Sequence, residues 1–244
     1  MKKNTFKLKP FFLLNLGSIL LLLSWSLPAS REYWDLLDLY VFSVMNDSIK
    51  VLGGWWRGFW ALLSVRVLDL LPLFLMLIVF WKEGVVFKRS ERLSGLAGFV
   101  SLLVLMLFVR EVLDWYIESA QLKRASPTAL IEGAQRLSQL YPNLPLKDWS
   151  SDSFPGDHAA VLFVWLGYCL FVVRNYWSVF VLALSVVFIL PRLVAGAHWF
   201  SDVMVGGLSI ALVTLSIGLY TPALNQLNKK LNTLTEQLLR RFLR

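Results

Sequence analysis

Charge, cysteine and histidine are all scarce in this sequence of 244 residues. Asp, Glu, Lys and Arg make up 16% of it, whereas a soluble domain of this length carries about a quarter. The single cysteine, Cys169, cannot form an internal disulfide, and one cysteine makes no metal site. Internal repeats, low-complexity linkers and long polar stretches are also missing, so we expect no separate soluble domain. These shortages favour a membrane protein.

Apolar residues form 57% of the chain and occur in long runs, and the mean hydropathy is +0.61. A membrane-spanning helix needs about 20 mostly apolar residues. Six segments approach this length: Phe11–Leu27, Val67–Trp81, Leu93–Val109, Ala159–Val173, Ser178–Leu190 and Val203–Tyr220. The sequence therefore predicts an all-α, polytopic membrane protein with six transmembrane helices, formed as a single domain over residues 1–244. The tryptophan-rich segment Tyr33–Trp60 is predicted to lie at the membrane interface.

Basic residues determine the predicted orientation. Six passes place both termini on one side of the membrane, and cytoplasmic segments are rich in Lys and Arg. Four lysines precede the first segment, four basic residues lie within Lys82–Arg92, and five follow the sixth segment. We therefore predict that both termini are cytoplasmic. The same rule, together with anionic headgroups, explains the net charge of +8, so no nucleic-acid partner is expected.

Both ends of the chain allow a second interpretation. The first apolar segment, followed by Leu27-Pro28-Ala29-Ser30, resembles a cleaved signal peptide, although its apolar run is long for one. Residues 224–244 carry leucines at helical spacing, flanked by basic residues. They predict a basic amphipathic helix on the cytoplasmic leaflet, with a partner-binding helix as the alternative.

Polar residues beside a membrane indicate function, because charge there is costly. The predicted topology places three polar clusters on the non-cytoplasmic side: Lys123-Arg124-Ala125-Ser126-Pro127, Ser153-Phe154-Pro155-Gly156-Asp157-His158, and the segment from Arg192 to Asp202. The second and third clusters lie at the ends of predicted membrane helices, and the first lies in a loop. All three can therefore meet at the same surface of the membrane. Together they contain both histidines of the protein.

The third cluster contains the groups needed for attack on phosphorus. His198 and Asp202 are four residues apart, so on a helix they share a face. A carboxylate in that position accepts the Nδ1 proton of the imidazole and leaves the other nitrogen free as nucleophile or base. Arg192, before a predicted turn at Gly196, has a planar guanidinium suited to gripping phosphate oxygens.

The other two clusters add an acid and further cations. His158 begins the fourth apolar segment and, when protonated, can give a proton to a departing oxygen. Gly156 allows the backbone to approach a ligand closely, and N–H groups at a helix start bind anions. Lys123 and Arg124 supply two more cations for phosphate.

Two other interpretations of these residues stay open. Either histidine alone would be an ordinary polar anchor at the membrane interface. Two histidines and two aspartates also make a possible zinc site. Because Arg192, Lys123 and Arg124 would oppose a cation, we predict no metal and no cofactor.

The clusters resemble motifs of the type-2 phosphatidic acid phosphatase superfamily. Its third motif, Arg, five residues, His, three residues, Asp, is matched by Arg192, His198 and Asp202. Its second motif, Pro-Ser-Gly-His, here reads Pro-Gly-Asp-His, ending at His158. Its first motif, Lys, six residues, Arg-Pro, is replaced by the Lys-Arg-Ala-Ser-Pro cluster. These departures resemble the branch of lipid A phosphotransferases, and the similarity extends over most of the chain.

The resemblance implies a bacterial inner-membrane enzyme, with its active site at the periplasmic ends of the helices. Such an enzyme transfers the terminal phosphate of undecaprenyl diphosphate to the 1-phosphate of lipid A, without a metal. His198 is implied as the nucleophile that forms a phosphohistidine, Asp202 as its orienting group, and His158 as acid and then base. The implied phosphate ligands are Lys123, Arg124, Arg192 and Gly156. The serine of the second family motif contacts phosphate; Gly156 has no hydroxyl, so that role is unfilled here or passes to Ser126 or Ser153.

Two rival functions follow from the same residues. If water is the acceptor, the protein is an undecaprenyl diphosphate phosphatase or a general lipid phosphatase, and the catalytic residues cannot separate this from a transferase. A transporter that binds a phospholipid headgroup without chemistry is the other rival. Such a protein often shows inverted repeats, which this sequence lacks.

Overall fold

The computed structural model of the protein describes residues 6–82, 85–173, 176–223 and 226. Within this part of the chain the structure is helical, without a β-strand; one isolated antiparallel bridge joins Val65 to Leu146. The α-helices are α1 (Leu8–Ser26), α2 (Pro28–Leu52), α3 (Gly54–Leu63), α4 (Leu70–Trp81), α5 (Arg92–Ser119), α6 (Pro127–Leu130), α7 (Leu137–Leu140), α8 (Asp157–Tyr168), α9 (Trp177–Val194) and α10 (Leu208–Tyr220). Two 3₁₀ turns (Arg66–Asp69 and Arg89–Glu91) and two π-helical segments (Cys169–Val173 and Asp202–Gly207) extend these helices. The prediction of an all-α fold is thus confirmed for the described residues.

Four helices in the described part of the chain are long and apolar enough to span a membrane. They cover Leu8–Ser26, Arg89–Ser119, Trp177–Val194 and Asp202–Tyr220. All six predicted segments fall on helices, but α4 has only 12 residues and the apolar helix Asp157–Phe171 is also shorter than a span. The chain is therefore a multi-pass membrane protein, and the count of six passes stays a prediction.

The segment predicted to be interfacial, Tyr33–Trp60, is helical. It belongs to α2 and α3, which meet at Gly53, where φ is +51°. Helix α2 buries Asp38, Phe42, Asn46 and Ile49, which are spaced at three or four residues and therefore form one face. This face packs against the protein and places one acidic side chain inside it.

Helix α10 lies at the centre of the bundle and packs against α1, α5 and α8. Ser18 and Ser209 exchange hydrogen bonds to each other's carbonyls at 3.3 and 3.4 Å, and Asn15 Nδ2 donates to Ser216 Oγ at 2.8 Å. Small residues and interhelical hydrogen bonds are the usual means of helix packing in membranes. These contacts hold α10 in register with α1.

The first and last described apolar helices are antiparallel. Lys7 N donates to Tyr220 O at 3.0 Å, so α1 begins beside the end of α10. The segment Asp202–Gly207, which leads into α10, therefore lies at the opposite end of the bundle. The predicted basic tail at 224–244 lies outside the described residues, except for Gln226.

Candidate active site

A cavity of about 360 Å³ opens at the end of the bundle where the segment Asp202–Gly207 begins. All of its lining residues except Phe154 and Pro155 are polar or charged. The lining consists of Arg66, Asp69, Arg110, Asp114, Lys147, Ser150, Asp152, Phe154, Pro155, Asp157, His158, Arg192 and His198. The fold thus brings both histidines and Arg192 to one cavity, although 40 residues separate the histidines in sequence.

His198 lies in the turn between α9 and the helical segment that begins at Phe200. The chain turns at Gly196, where φ is +73° and a Cβ atom would lie 2.5 Å from the Thr128 side chain. His198 Nδ1 is 2.8 Å from Ser153 O and 3.5 Å from Asp202 Oδ2. Because a carbonyl oxygen only accepts hydrogen bonds, this contact places the proton on Nδ1. Nε2 is then the unprotonated nitrogen available to a ligand.

The geometry differs in two ways from the simple helix face expected for His198 and Asp202. His198 precedes the helix, and the nearer partner of its Nδ1 is the Ser153 carbonyl. Asp202 Oδ2 accepts the backbone N–H of Trp199 at 2.7 Å, so this carboxylate caps the start of the helix and also lies beside the imidazole. A backbone carbonyl carries no sequence signal, so the sequence offers Ser153 only as one candidate for a hydroxyl contact to phosphate.

Behind His198, Arg124 joins two buried carboxylates. Its Nη2 donates to Asp202 Oδ1 at 2.7 Å, and its Nη1 donates to Asp38 Oδ2 at 2.9 Å. Asp38 also accepts the backbone N–H and the hydroxyl of Ser201, at 2.7 and 2.6 Å. Burial raises the pKa of Asp38, while Arg124 and Ser201 act in the opposite direction. The Arg124 side chain is therefore engaged with protein carboxylates and is absent from the cavity lining.

Arg192 and His158 meet at the carboxylate of Asp69. Asp69 Oδ1 accepts a hydrogen bond from Arg192 Nη2 and lies 3.4 Å from His158 Nε2. Arg192 Nη1 donates to the carbonyl of Lys147 at 3.1 Å. Sequence reasoning missed Asp69, because it lies in a 3₁₀ turn before α4 that the hydropathy pattern assigns to a membrane segment. An acidic residue inside an apolar run was the available signal.

The remaining predicted site residues lie around the cavity rather than in its wall. Lys123 Nζ is 3.4 Å from Glu118 and from Asp152. Ser126 is buried, and its hydroxyl accepts the backbone N–H of Ser150 at 3.0 Å, which ties two loop segments together. Gly156 N donates to Asp202 O at 3.0 Å. Gly156 thus uses its own N–H within the protein, and the N–H groups at the start of α8 that can face a ligand belong to the residues after it.

Close packing of Gly156 against Asp202 leaves no room for a side chain at position 156, which a substitution can test. A Cβ atom at Gly156 would lie 2.8 Å from the Asp202 carbonyl oxygen, which is backbone and cannot rotate away. We expect Gly156→Ala to lower the free energy of unfolding by about 1–3 kcal/mol and to reduce activity, since Asp202 must shift. Thermal unfolding in detergent and turnover measure the two effects.

Gly17→Ala is the matched control, because its Cβ would meet only Leu212 Cδ1 at an ordinary 3.7 Å. Equal behaviour of the two alanine variants would contradict the packing argument.

Charges around the cavity are unevenly paired. Partial burial lowers the pKa of Lys147, and the neighbouring Arg66 and Arg192 lower it further. Burial raises the pKa of Asp152, which Lys123 opposes. Among the described residues, no three His, Cys, Asp or Glu side chains gather as metal ligands. Independence from metals stays a prediction.

Comparison with known proteins identifies relatives along most of the chain. The family model described as the PAP2 superfamily matches residues 95–225. Lipid A 1-diphosphate synthase of Escherichia coli (strain K12) is 32% identical over 219 residues, which cover 88% of this chain and 89% of that protein. The crystal structure of Aquifex aeolicus LpxE aligns with 72% of this chain and 92% of that chain, with a TM-score of 0.47 and 21% identity.

Proposed function

Because this chain belongs to the PAP2 superfamily, a family of phosphatases and phosphotransferases, we propose that it transfers phosphate between two lipids. The donor is undecaprenyl diphosphate, and the acceptor is the 1-phosphate of lipid A. The observation that carries this proposal is a single polar cavity into which His198, His158 and Arg192 converge. The curated relative, whose name is lipid A 1-diphosphate synthase, supports lipid A as the acceptor.

The first step is attack by His198 Nε2 on the terminal phosphorus of the donor. The Nδ1–H group donates to Ser153 O at 2.8 Å, which orients the ring and selects the nucleophilic tautomer. The buried Asp202 carboxylate, 3.5 Å from Nδ1, stabilises the positive charge that develops on the ring. A bond forms between Nε2 and phosphorus while the bond from phosphorus to the bridging oxygen breaks.

Arg192 and the first turn of α8 stabilise the transferred phosphoryl group. Arg192 is held by the Lys147 carbonyl, and its guanidinium reaches the cavity wall. Donor N–H groups at the start of α8 add an anion-binding edge close to His158. Positioned donors of this kind stabilise the charge that spreads over the equatorial oxygens.

His158 acts on the oxygen that leaves. Burial and the neighbouring Arg192 lower the pKa of His158, whereas the Asp69 carboxylate, whose Oδ1 lies 3.4 Å from His158 Nε2, acts in the opposite direction and favours the protonated ring. In the first step His158 gives its proton to undecaprenyl phosphate as this departs. In the second step, the acceptor phosphate attacks the phosphohistidine, the bond to Nε2 breaks, and His158 is available as base.

We expect purified protein to move label from the terminal phosphate of undecaprenyl diphosphate onto lipid A that carries a 1-phosphate. Two parallel reactions, with and without lipid A, separate transfer from hydrolysis, and the products are measured as labelled lipid A and free phosphate. Label released only as free phosphate in both reactions would reject the transferase and leave a lipid phosphatase. If neither labelled lipid A nor free phosphate forms in either reaction, the transporter remains.

A further inference from the structure

Two cations in the cavity wall, Arg66 and Lys147, are not used by the mechanism above. They come from distant parts of the sequence, before α4 and in the loop between α7 and α8. Backbone pairing brings the two segments together. Arg66 N donates to Pro145 O and Lys147 N donates to Ser64 O, both at 3.1 Å, on either side of the bridge between Val65 and Leu146. The position of both cations beside the cavity is therefore built into the fold.

The same backbone pairing places Arg66 and Lys147 beside Arg192 in the wall of the cavity. Arg192 Nη1 donates to the carbonyl of Lys147 at 3.1 Å, so the Lys147 backbone directly supports Arg192. All three cations line the cavity that holds both histidines. The charges of Arg66 and Arg192 both act against the positive charge of Lys147, and an anion between them would relieve this repulsion.

Three acidic residues of the cavity have other ion-pair partners, although Asp69 and Asp157 partly offset the repulsion that Arg66 and Arg192 exert on Lys147. Asp157 accepts a hydrogen bond from Arg110 Nε at 2.7 Å, and Asp152 pairs with Lys123. Asp69 pairs with Arg192 and His158. Over residues 6–82, 85–173 and 176–223, no carboxylate lies within ion-pair distance of the Arg66 or Lys147 side chains. Arg66 and Lys147 thus carry two positive charges that form no ion pair within the described part of the protein and can pair with a bound anion.

In-line transfer explains which ligand belongs there. The entering oxygen must approach phosphorus from the side that the leaving oxygen has vacated, across from His198 Nε2. In the proposed reaction both of these oxygens belong to phosphate monoesters. A transferase of this kind therefore needs a second phosphate-sized anion site beside the transferred phosphoryl group, which holds first the leaving phosphate and then the acceptor phosphate; a diphosphate hydrolase needs this site for the leaving phosphate only.

We propose that Arg66 and Lys147 form the second anion site and hold the phosphate monoester of the acceptor lipid beside the phosphohistidine. This assignment rests on the proposed function. The held oxygen attacks phosphorus, the bond between phosphorus and Nε2 breaks, and its electron pair returns to the ring, which leaves a diphosphate and neutral His198. Water has no charge for these cations to hold, so the site favours a phosphate acceptor over water.

The ratio of label on lipid A to label in free phosphate tests this assignment. The ratio is set after the phosphohistidine has formed, so it reports on the acceptor step alone. We expect Arg66→Gln and Lys147→Gln each to lower it about tenfold at a subsaturating lipid A concentration, because each removes a charged hydrogen-bond donor. Lys147→Arg keeps the charge and should retain most of the ratio.

Lys50→Gln is the matched control, since Lys50 is an exposed lysine of α2 outside the cavity. Its ratio should equal that of the parent protein. Unfolding midpoints in detergent verify that every variant compared is folded. An unchanged ratio in folded Arg66→Gln and Lys147→Gln protein, whether or not total turnover falls, would overturn the assignment.

A binding experiment separates this inference from the proposed function. His198→Gln protein, with and without Lys147→Gln, is titrated with lipid A that carries or lacks the 1-phosphate. If His198→Gln protein prefers the phosphorylated lipid and the added Lys147→Gln substitution removes this preference, the result supports the anion site. This holds even if the parent enzyme releases only free phosphate. Equal binding of the two lipids by His198→Gln protein would overturn it.

Discussion

Replacement of His198 by glutamine is expected to reduce phosphate transfer and phosphate release by about 10⁴-fold or more, because the nucleophile is lost. Glutamine is close to histidine in size, and its amide N–H can still donate to the Ser153 carbonyl that now accepts Nδ1–H. The variant should therefore keep its fold and its unfolding midpoint. It has no unprotonated ring nitrogen with which to form a bond to phosphorus.

The covalent intermediate gives a second, independent readout for this substitution. Brief incubation with labelled undecaprenyl diphosphate in the absence of lipid A should leave acid-labile label on the unsubstituted protein and none on His198→Gln. Loss of activity together with a lowered unfolding midpoint would show only a folding defect. Turnover by folded His198→Gln within about tenfold of the parent would reject His198 as the nucleophile.

Replacement of Arg124 by glutamine is expected to lower the free energy of unfolding by about 3–5 kcal/mol, because it leaves two buried carboxylates without their cation. Asp38 and Asp202 are 1% and 0% exposed, and Arg124 contacts both. The sequence-based hypothesis assigns Arg124 to phosphate instead. That hypothesis expects a raised KM for the donor with stability unchanged, so the unfolding midpoint and the KM distinguish the two roles.

Lys123→Gln is the control for this substitution, since Lys123 is the adjacent cation but a partly exposed one. Its unfolding midpoint should stay close to that of the parent. Asp38→Asn introduced into Arg124→Gln removes one of the two unpaired charges and should restore part of the lost stability, which a double-mutant cycle measures. A stability loss that is the same with and without Asp38→Asn would contradict the proposed coupling.

The positions of Asp38 and Asp69 suggest how this chain supports the family motifs. Both residues lie before residue 95, where the match to the family model begins. Asp38 holds Arg124 and Ser201, and Asp69 holds Arg192 and contacts His158. We infer that these two carboxylates, one buried and one in the cavity wall, are positioning residues for the catalytic groups.

Some features of the site were accessible from sequence because they depend on residue type and local spacing. The spacing of Arg192, His198 and Asp202 indicates a functional segment. The fold brings Arg192 and His198 of this segment to the cavity that His158 also lines, and Asp202 lies beside His198. Lys123 and Arg124 were grouped with it because of their charge. The fold places them outside the cavity wall, because nearby carboxylates from α2, α5 and the loop before α8 engage them. Charge alone does not reveal whether a cation faces a ligand or a protein anion.

The sequence by itself determined the all-helical membrane architecture and the family, because long apolar runs leave few ways to satisfy a backbone in lipid and because the motif residues have fixed spacings. Tertiary structure alone decided the long-range partners of the charged side chains in and behind the cavity. The Ser153 carbonyl beside His198, the Asp38 carboxylate behind Arg124 and the pairing that places Arg66 near Lys147 all join segments far apart in the chain. Such contacts depend on helix packing and loop conformation, and local sequence patterns do not encode them.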